Sequence, residues 1–411
     1  MYNLHLSAEQ LEFRDTVRDF VAQEIKPVAL KPERLEPFER PLLTQILERA
    51  SQMGLRTMAL SEDNGGAGAD NLTSCIVTEE LAIGDVDVAA VLAETSTLSH
   101  ILFDRLMTPA QKDRLLPQFL ADDRYHLAFA SHEPSTDTRI GVTYHRNSTD
   151  ERVTTKAVRA DNGDWIVNGI KDCVLNAPVA KLFAVVVTAG LDRSGRQDTA
   201  TLLVPHDAPG LTVREQNQAT LRCHGVGGEV VFKDCRVPAD NLLSAEGGGA
   251  AALFGGAVER GRPQEQALAL GIGRAAYEAA LEYAQLRVQG GRRIIEHQAI
   301  GTKLAEIAIG LEVARNSVWQ AAYASDHPDA VADRSLPDLP LQIIAKVFTS
   351  GAVYRAAKDA AELFGAMGVM RDMPLQKYIH DALVCLHSGD GNGDAKLRIA
   401  EALAGFRRPQ S

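Results

Sequence analysis

Apolar residues recur at helical spacing through the first ~120 residues of the chain. Leu11, Phe13, Val17, Phe20 and Val21 line one face, behind Ser7 as N-cap with Gln10 as its capping-box partner. Further helices are expected around Leu42 to Met53, from a cap at Asn71 or Thr73 through Leu81, from Val86 to Phe103, and from Thr108 to Leu120, where Pro109 suits a first turn. Pro37 and Pro41 bracket one loop, and the glycine-rich run Glu62 to Gly68 marks another. From about Tyr125 the texture changes. Val153 to Val158, Asp164 to Val167, Leu182 to Thr188, Thr201 to Val204 and Val230 to Phe232 are short runs rich in β-branched and aromatic residues, with turn signals such as Asp161-Asn162-Gly163-Asp164 between them. Short strands at this spacing predict an antiparallel barrel or sandwich. After Gly247-Gly248-Gly249 the pattern is helical again, over Ala267 to Arg287, Ile300 to Ala324 and Leu341 to Leu363, and long neighbouring helices of this kind pack as a bundle. The fold class is therefore α+β and multidomain: an N-terminal helical domain (1–124), a middle antiparallel β-barrel or sandwich (125–244) and a C-terminal four-helix bundle (245–411).

Composition narrows the function classes. The 411 residues are 45% hydrophobic and 24% charged, a globular balance that excludes a disordered or collagen-like chain. No apolar run is expected to reach the ~18 residues that span a bilayer. Residues Met1 to Gln10 carry no signal-peptide pattern, so a cytoplasmic protein is expected, with no membrane partner. Cys75, Cys173, Cys223, Cys235 and Cys385 are scattered without a C-x-x-C pair and read as free thiols, with no metal site. The formal charge of −11 disfavours non-specific nucleic-acid binding but leaves room for an anionic ligand where arginines form a pocket.

The last third makes the reading specific. Tyr283-Ala284-Gln285-Leu286-Arg287, then Ile294-Ile295-Glu296-His297-Gln298-Ala299-Ile300 and Leu304-Ala305-Glu306, resemble the acyl-CoA dehydrogenase family. Glu133-Pro134 with Asp137 resembles the family's T-E-P-G-A-G-S-D loop, and Val167-Asn168-Gly169-Ile170-Lys171 the strand after it. Leu221-Arg222, Phe232-Lys233-Asp234 and Val237 to Leu243 match the end of the β domain. Gly261-Arg262-Pro263 and Leu270-Gly271-Ile272 match the first bundle helix, and Phe364-Gly365 with Gly368 the family's F-G-G-x-G turn. The resemblance covers nearly the whole chain. It implies FAD, a thioester substrate (acyl-CoA or a carrier-bound acyl group), an electron-transfer acceptor and a tetramer. It implies that Arg287 and Gln298 reach the FAD of a neighbouring subunit, that Gly365 and Gly368 admit the flavin pyrophosphate, and that Arg262 lies at the substrate. A guanidinium fork and open backbone are what an anionic pyrophosphate requires. Without the resemblance, the glycines read as helix packing and Arg287 as a solvated helix-end charge.

Several positions depart from the family pattern. Dehydrogenation needs a carboxylate to remove the α-proton. Counting from His380-Asp381-Ala382 and Ile399-Ala400 puts Gly389 where the family has its glutamate, and Gly261 stands at the alternative position before Arg262. A two-residue shift brings Glu259-Arg260 into that register but breaks the match to Leu270-Gly271-Ile272. Cys173-Val174-Leu175 replaces W-I-T/S, so the usual ring and hydroxyl against the flavin are missing. The loop reads Ser131-His132-Glu133-Pro134-Ser135-Thr136-Asp137, the second glycine of F-G-G-x-G is Ala366, and Gly290 stands for the aromatic of R-x-x-F-G. Glu362 replaces a common glutamine, and an acid there is expected to repel a pyrophosphate.

Two carboxylates are candidates for the missing base. Glu94 is the one ionisable residue between Asp87 and His100, in a helix that is small and apolar all round and therefore buried. A carboxylate among apolar groups gains proton affinity, the tuning a general base needs. Asp390 lies one residue from the usual position, in a glycine-rich stretch that also reads as an ordinary turn. Glu94 ranks first, and Glu265, one turn beyond Gly261, ranks third; His387 reads as structural. The functional expectation is an FAD-dependent oxidoreductase that dehydrogenates an acyl thioester with a non-standard base. Its alternatives are different flavin chemistry in the same pocket (reduction, elimination or oxygenation), or a non-catalytic partner subunit of a hetero-oligomer, against a homotetramer as the first expectation.

Overall fold

The structure is a computed structural model that describes residues 5–36, 40–134, 153–191, 197–216, 223–243, 263–327, 329, 341–388 and 391–405. Helix α1 (Ala8–Phe20) starts in the expected capping box: Gln10 N–H donates to Ser7 Oγ at 3.1 Å and Ser7 N–H to Gln10 Oε1 at 3.0 Å. The longer helices that follow are α2 (Thr44–Gln52), α3 (Asn71–Gly84), α4 (Val86–Ser99) and α5 (Pro109–Ala121). The cap of α3 is neither Asn71 nor Thr73 but Asp70, whose carboxylate accepts from Thr73 N–H at 2.7 Å. An ionised cap also complements the helix dipole.

The β region contains more strands than the apolar runs indicate. They are β1 (His126–Ala130), β2 (Lys156–Arg159), β3 (Trp165–Leu175), β4 (Ala180–Leu191), β5 (Gln197–Pro205), β6 (Leu211–Gln216), β7 (Gly227–Val237) and β8 (Leu242–Leu243). They lie in the order β6-β7-β3-β2-β4-β5-β8, with β1 pairing onto β4. The sheet is mainly antiparallel, but β1 runs parallel to β4. Strand β6 has no apolar run to mark it, because Thr212, Arg214 and Glu215 make it a polar edge.

Helix α6 (Pro263–Leu286) leads through a hairpin, β9 (Val288–Gln289) and β10 (Arg292–Arg293), to α7 (Gln298–Asp326), α8 (Leu341–Phe364), α9 (Leu375–His387) and α10 (Gly391–Leu403). The core joins the two helical regions: Val21, Ile25, Val88 and Leu92 belong to the same buried cluster as Leu268, Ile272, Ile307 and Val353. Helices α3 and α6 cross so closely that a Cβ on Gly271 would stand 2.5 Å from Ala82 Cβ and 2.7 Å from Glu79 O. That is the physical reason for a glycine in Leu270-Gly271-Ile272.

One expectation fails in an informative way. Val86–Leu106 is 21 residues long and holds an 18-residue window of mean hydropathy 1.3, long and apolar enough by those measures to cross a bilayer. Here 72% of that 18-residue window is buried inside the fold, where the span serves as the core helix α4 and its π-helical continuation His100–Leu106.

Candidate active site

Glu94 sits on α4 and is 8% exposed. Val91, Leu92, Thr95 and Leu98 around it are buried, as an all-round apolar helix requires. The helix is fastened to the β sheet on either side of Glu94. Asn176 Nδ2 lies 3.1 Å from Val91 O, 3.1 Å from Thr95 Oγ1 and 3.2 Å from Leu127 O. Asn176 holds a left-handed backbone (φ 62), a conformation asparagine tolerates better than most residues. It directly follows the altered Cys173-Val174-Leu175 segment, and nothing in the local sequence marks it as functional. Cys223 marks what else lies near. Burial pushes its thiol up to about 12, and the fields of Cys173, Glu265, Glu94 and Asp87 add to the shift. Two residues on, Gly225 packs against Ala90 and Val91, one turn of α4 before Glu94.

Behind Glu94, Thr95 Oγ1 lies 3.1 Å from Nδ1 of the buried His126. Burial, then the charge of Arg56, lowers this imidazole to about 3. The unfolded ring takes up a proton near pH 6.5 and the folded ring does not until about 3. Stability is therefore full above pH 6.5 and falls by about 1.4 kcal/mol per unit as the pH drops towards 3. Chemical denaturation at pH 7, 6 and 5 should show a slope shallower by about one proton in His126→Gln than in the wild-type chain. Equal slopes would remove His126 as the source.

The Glu133-Pro134 match to the family loop has a physical basis. Lys171, fully buried, bonds Glu133 Oε1 at 2.7 Å and Ser131 O at 3.1 Å. Glu133 also accepts from the N–H groups of Thr154 (2.7 Å) and Thr155 (2.9 Å) and from Thr154 Oγ1 (2.5 Å). Burial works to raise the Glu133 carboxyl, and these bonds more than offset it, bringing it down to about 2. The ion pair locks the loop from Ser131 onto β3. Beside it, donor atoms of His132, Asp172 and Cys173 lie within 4.8 Å of one another. Asp172 Oδ1 accepts from Cys173 N–H (2.8 Å) and from Gln216 Nε2 (2.7 Å), while Gln216 Oε1 is buried without a hydrogen-bond partner. Cys173 has φ 51. Gln216, at the end of β6, thus leaves an unmet acceptor beside the altered Cys173 segment, which fits a ligand that offers an N–H group.

Arg287 and Gln298 are both exposed, at the hairpin end of α6 and the first turn of α7. Gly290 and Gly291, both at positive φ (62 and 81), form the two-residue turn of that hairpin. The loss of the family aromatic at position 290 is thus matched by a tight turn. Gly365 ends α8 in a left-handed conformation (φ 58), and a Cβ there would meet nothing within 4 Å. Its open, exposed backbone fits a pyrophosphate. Gly368 differs: a Cβ would lie 2.3 Å from Ala361 O, so close packing demands glycine there regardless of any ligand. Glu362 does not stand alone: Lys303 and Lys358 both pair with its carboxylate, which their hydrogen bonds pull down, and both also lie 3.9 Å from Asp359. Arg262 and Asp390 lie outside the described residues, as do Asp137, Arg222, Glu259, Gly261 and Gly389. Helix α9 ends at the exposed His387.

Comparison with known proteins bears on this arrangement as a whole. The N-terminal, middle and C-terminal domain models of acyl-CoA dehydrogenases match residues 7–123, 142–235 and 248–403. An acyl-CoA dehydrogenase of Bacillus subtilis is 30% identical over 98% of this chain and 100% of its own length. The structure of butyryl-CoA dehydrogenase from Megasphaera elsdenii superposes with a TM-score of 0.81 at 26% identity, covering 98% of this chain and 100% of that one. A glutaryl-CoA dehydrogenase from Mycobacterium smegmatis in complex with FADH2 shares the fold, with a TM-score of 0.77 at 22% identity over 97% of this chain and 95% of that one. With all three domains matched in order and a relative aligned end to end, the chain belongs to the acyl-CoA dehydrogenase family, as an acyl-CoA dehydrogenase-like flavoenzyme.

Proposed function

We propose that the chain dehydrogenates an acyl-CoA thioester between Cα and Cβ, with Glu94 as the base that takes the α-proton. The observation that supports this most is a buried carboxylate on an apolar helix, one turn beyond the residues against which Gly225 packs. The apolar wall excludes water from the reacting carbon, and Asn176 fixes the helix on either side of Glu94. Bound FAD supplies the acceptor for the β-hydride. Arg287 and Gln298 are the residues that would hold the FAD of a neighbouring subunit, with Gly365 leaving room for its pyrophosphate and Gly368 shaping the same turn. Arg262 is assigned to the substrate, and Asp390 is the second-ranked base. An electron-transfer flavoprotein is the natural acceptor of the electrons.

A homotetramer suits the apolar side chains left on the bundle surface, among them Leu286, Val288, Ile309 and Val369, each at least 60% exposed. The deciding experiment is anaerobic titration of the purified yellow protein with saturated acyl-CoA thioesters of increasing chain length. Bleaching of the flavin with formation of the enoyl product is expected for at least one of them. Yellow protein inert to every thioester would favour different chemistry. Colourless protein that acquires flavin only with a co-expressed homologue would favour a non-catalytic partner subunit.

A further inference from the structure

Three consecutive residues before β7 are each tied to a different part of the molecule. Val226 O accepts from Asn176 N–H at 2.8 Å, within the β region. Gly225 N–H donates to Asp87 Oδ1 at 2.9 Å, on the helix that carries Glu94. His224 Nε2 lies 3.4 Å from Cys385 Sγ, on α9 of the bundle. The next residue towards the N-terminus is Cys223, which lies within reach of the fields of Glu94 and Glu265. Gly225 sits flush on α4: at its φ of 89, a Cβ would stand 3.3 Å from Ala90 Cβ.

Asp87 is itself clamped from behind. Arg40 Nη2 lies 3.5 Å from Asp87 Oδ2, and the same guanidinium forks onto Asp381 at 2.8 and 3.1 Å. Lys377 Nζ completes the group, 2.9 Å from Asp381 Oδ2. All four side chains are buried, so their positions are fixed by one another and not by solvent. Burial works to raise the Asp381 carboxyl, and the charges of Lys377 and Arg40 more than offset it, holding it well below the usual range. This clamp joins the N-terminal helices to α9 and passes through Asp87 to the segment bearing Cys223.

We propose that Asp87 is a positioning residue of the acyl pocket: held by Arg40, it seats Gly225 on α4 and so sets how far Cys223 stands from Glu94, and with it the acyl length the pocket accepts. The proposal rests on the reading that places the acyl pocket beside Glu94. It is tested on the FAD-loaded enzyme with two variants. Asp87→Asn weakens the clamp, and Gly225→Ala lifts the segment while leaving every charge in place. The readouts are the dissociation constants of enoyl-CoA thioesters of graded chain length, followed by the perturbation they cause in the flavin absorbance, together with kcat and KM.

In both variants FAD should stay bound, the chain-length preference should shift, and KM for the best wild-type substrate should rise about tenfold with kcat changed by less than about threefold. An unchanged chain-length profile with only a lower melting temperature would reduce Asp87 to a structural anchor and overturn the proposal. Gly225→Ala decides the matter even if Asp87→Asn does not fold. Glu94→Gln, run alongside, separates the two ideas. A shifted profile in the Asp87 and Gly225 variants with full-speed reduction in Glu94→Gln upholds the positioning role and refutes the base. Lost reduction in Glu94→Gln with an unchanged profile in the other two does the reverse.

Discussion

In Glu94→Gln, reduction of the flavin by a matched acyl-CoA should slow by on the order of 10²–10⁴-fold while FAD and thioester still bind. The change removes one ionisable oxygen and preserves shape, so it separates proton removal from pocket integrity. The expectation follows from the position of the carboxylate: 8% exposed, with Val91, Leu92 and Leu98 of the same helix buried around it. The measurement is anaerobic stopped-flow reduction of the wild type, Glu94→Gln, Asp390→Asn and Glu265→Gln. The last two are expected to react near the normal rate. Full-speed reduction in Glu94→Gln would transfer the role to whichever of the others fails. Full-speed reduction in all three would demote dehydrogenation below reduction, elimination or oxygenation.

Lys171→Met should lower the unfolding free energy by about 3–5 kcal/mol, the cost of stripping one partner from a buried ion pair. Lys171 has no exposed surface, and its ammonium is the link between β3 and the Ser131–Pro134 loop. Burial lowers its proton affinity and the bond from Glu133 restores only part of it, so the pair stands or falls together. The double variant Lys171→Met with Glu133→Gln should regain part of the loss, because it leaves no uncompensated carboxylate. Urea unfolding followed by tryptophan fluorescence measures both. A loss under about 1 kcal/mol in Lys171→Met would place the pair among weak surface bridges.

Helix positions were legible wherever an apolar stripe coincided with a cap, as in α1 with Ser7 and Gln10 and in α5 with its Thr108 cap. The long bundle helices were legible from length alone. What escaped was set by partners far away in sequence. Strand β1 is recognisable only once β4 lies beside it in parallel. Asp70 outcompetes Asn71 and Thr73 as a cap because Asn71 is engaged elsewhere, its backbone and side chain bonding Asp326. The site was half legible. Glu94 stood out because a charge in an apolar helix breaks a local pattern. Asn176, Asp87 and Arg40 gave no such signal, since each is an ordinary polar residue until the fold brings three segments together. Gly365 and Gly368 look equivalent in sequence, yet one faces open space and the other a carbonyl oxygen.

The apolar stretch Val86–Leu106 also carries a consequence for how the protein is made. The burial of its first half, Val86 to Leu92, depends in part on residues such as Leu268 and Ile272 of α6, which leave the ribosome roughly 160 residues after the stretch ends, on the order of 10 s at typical elongation rates. Throughout that interval a nascent chain displays a helix hydrophobic enough to be mistaken for a membrane segment, with part of its eventual cover not yet synthesised. Biogenesis therefore asks more of chaperones than the finished molecule suggests, and a chain truncated before α6 should be captured by them instead of accumulating as a folded fragment.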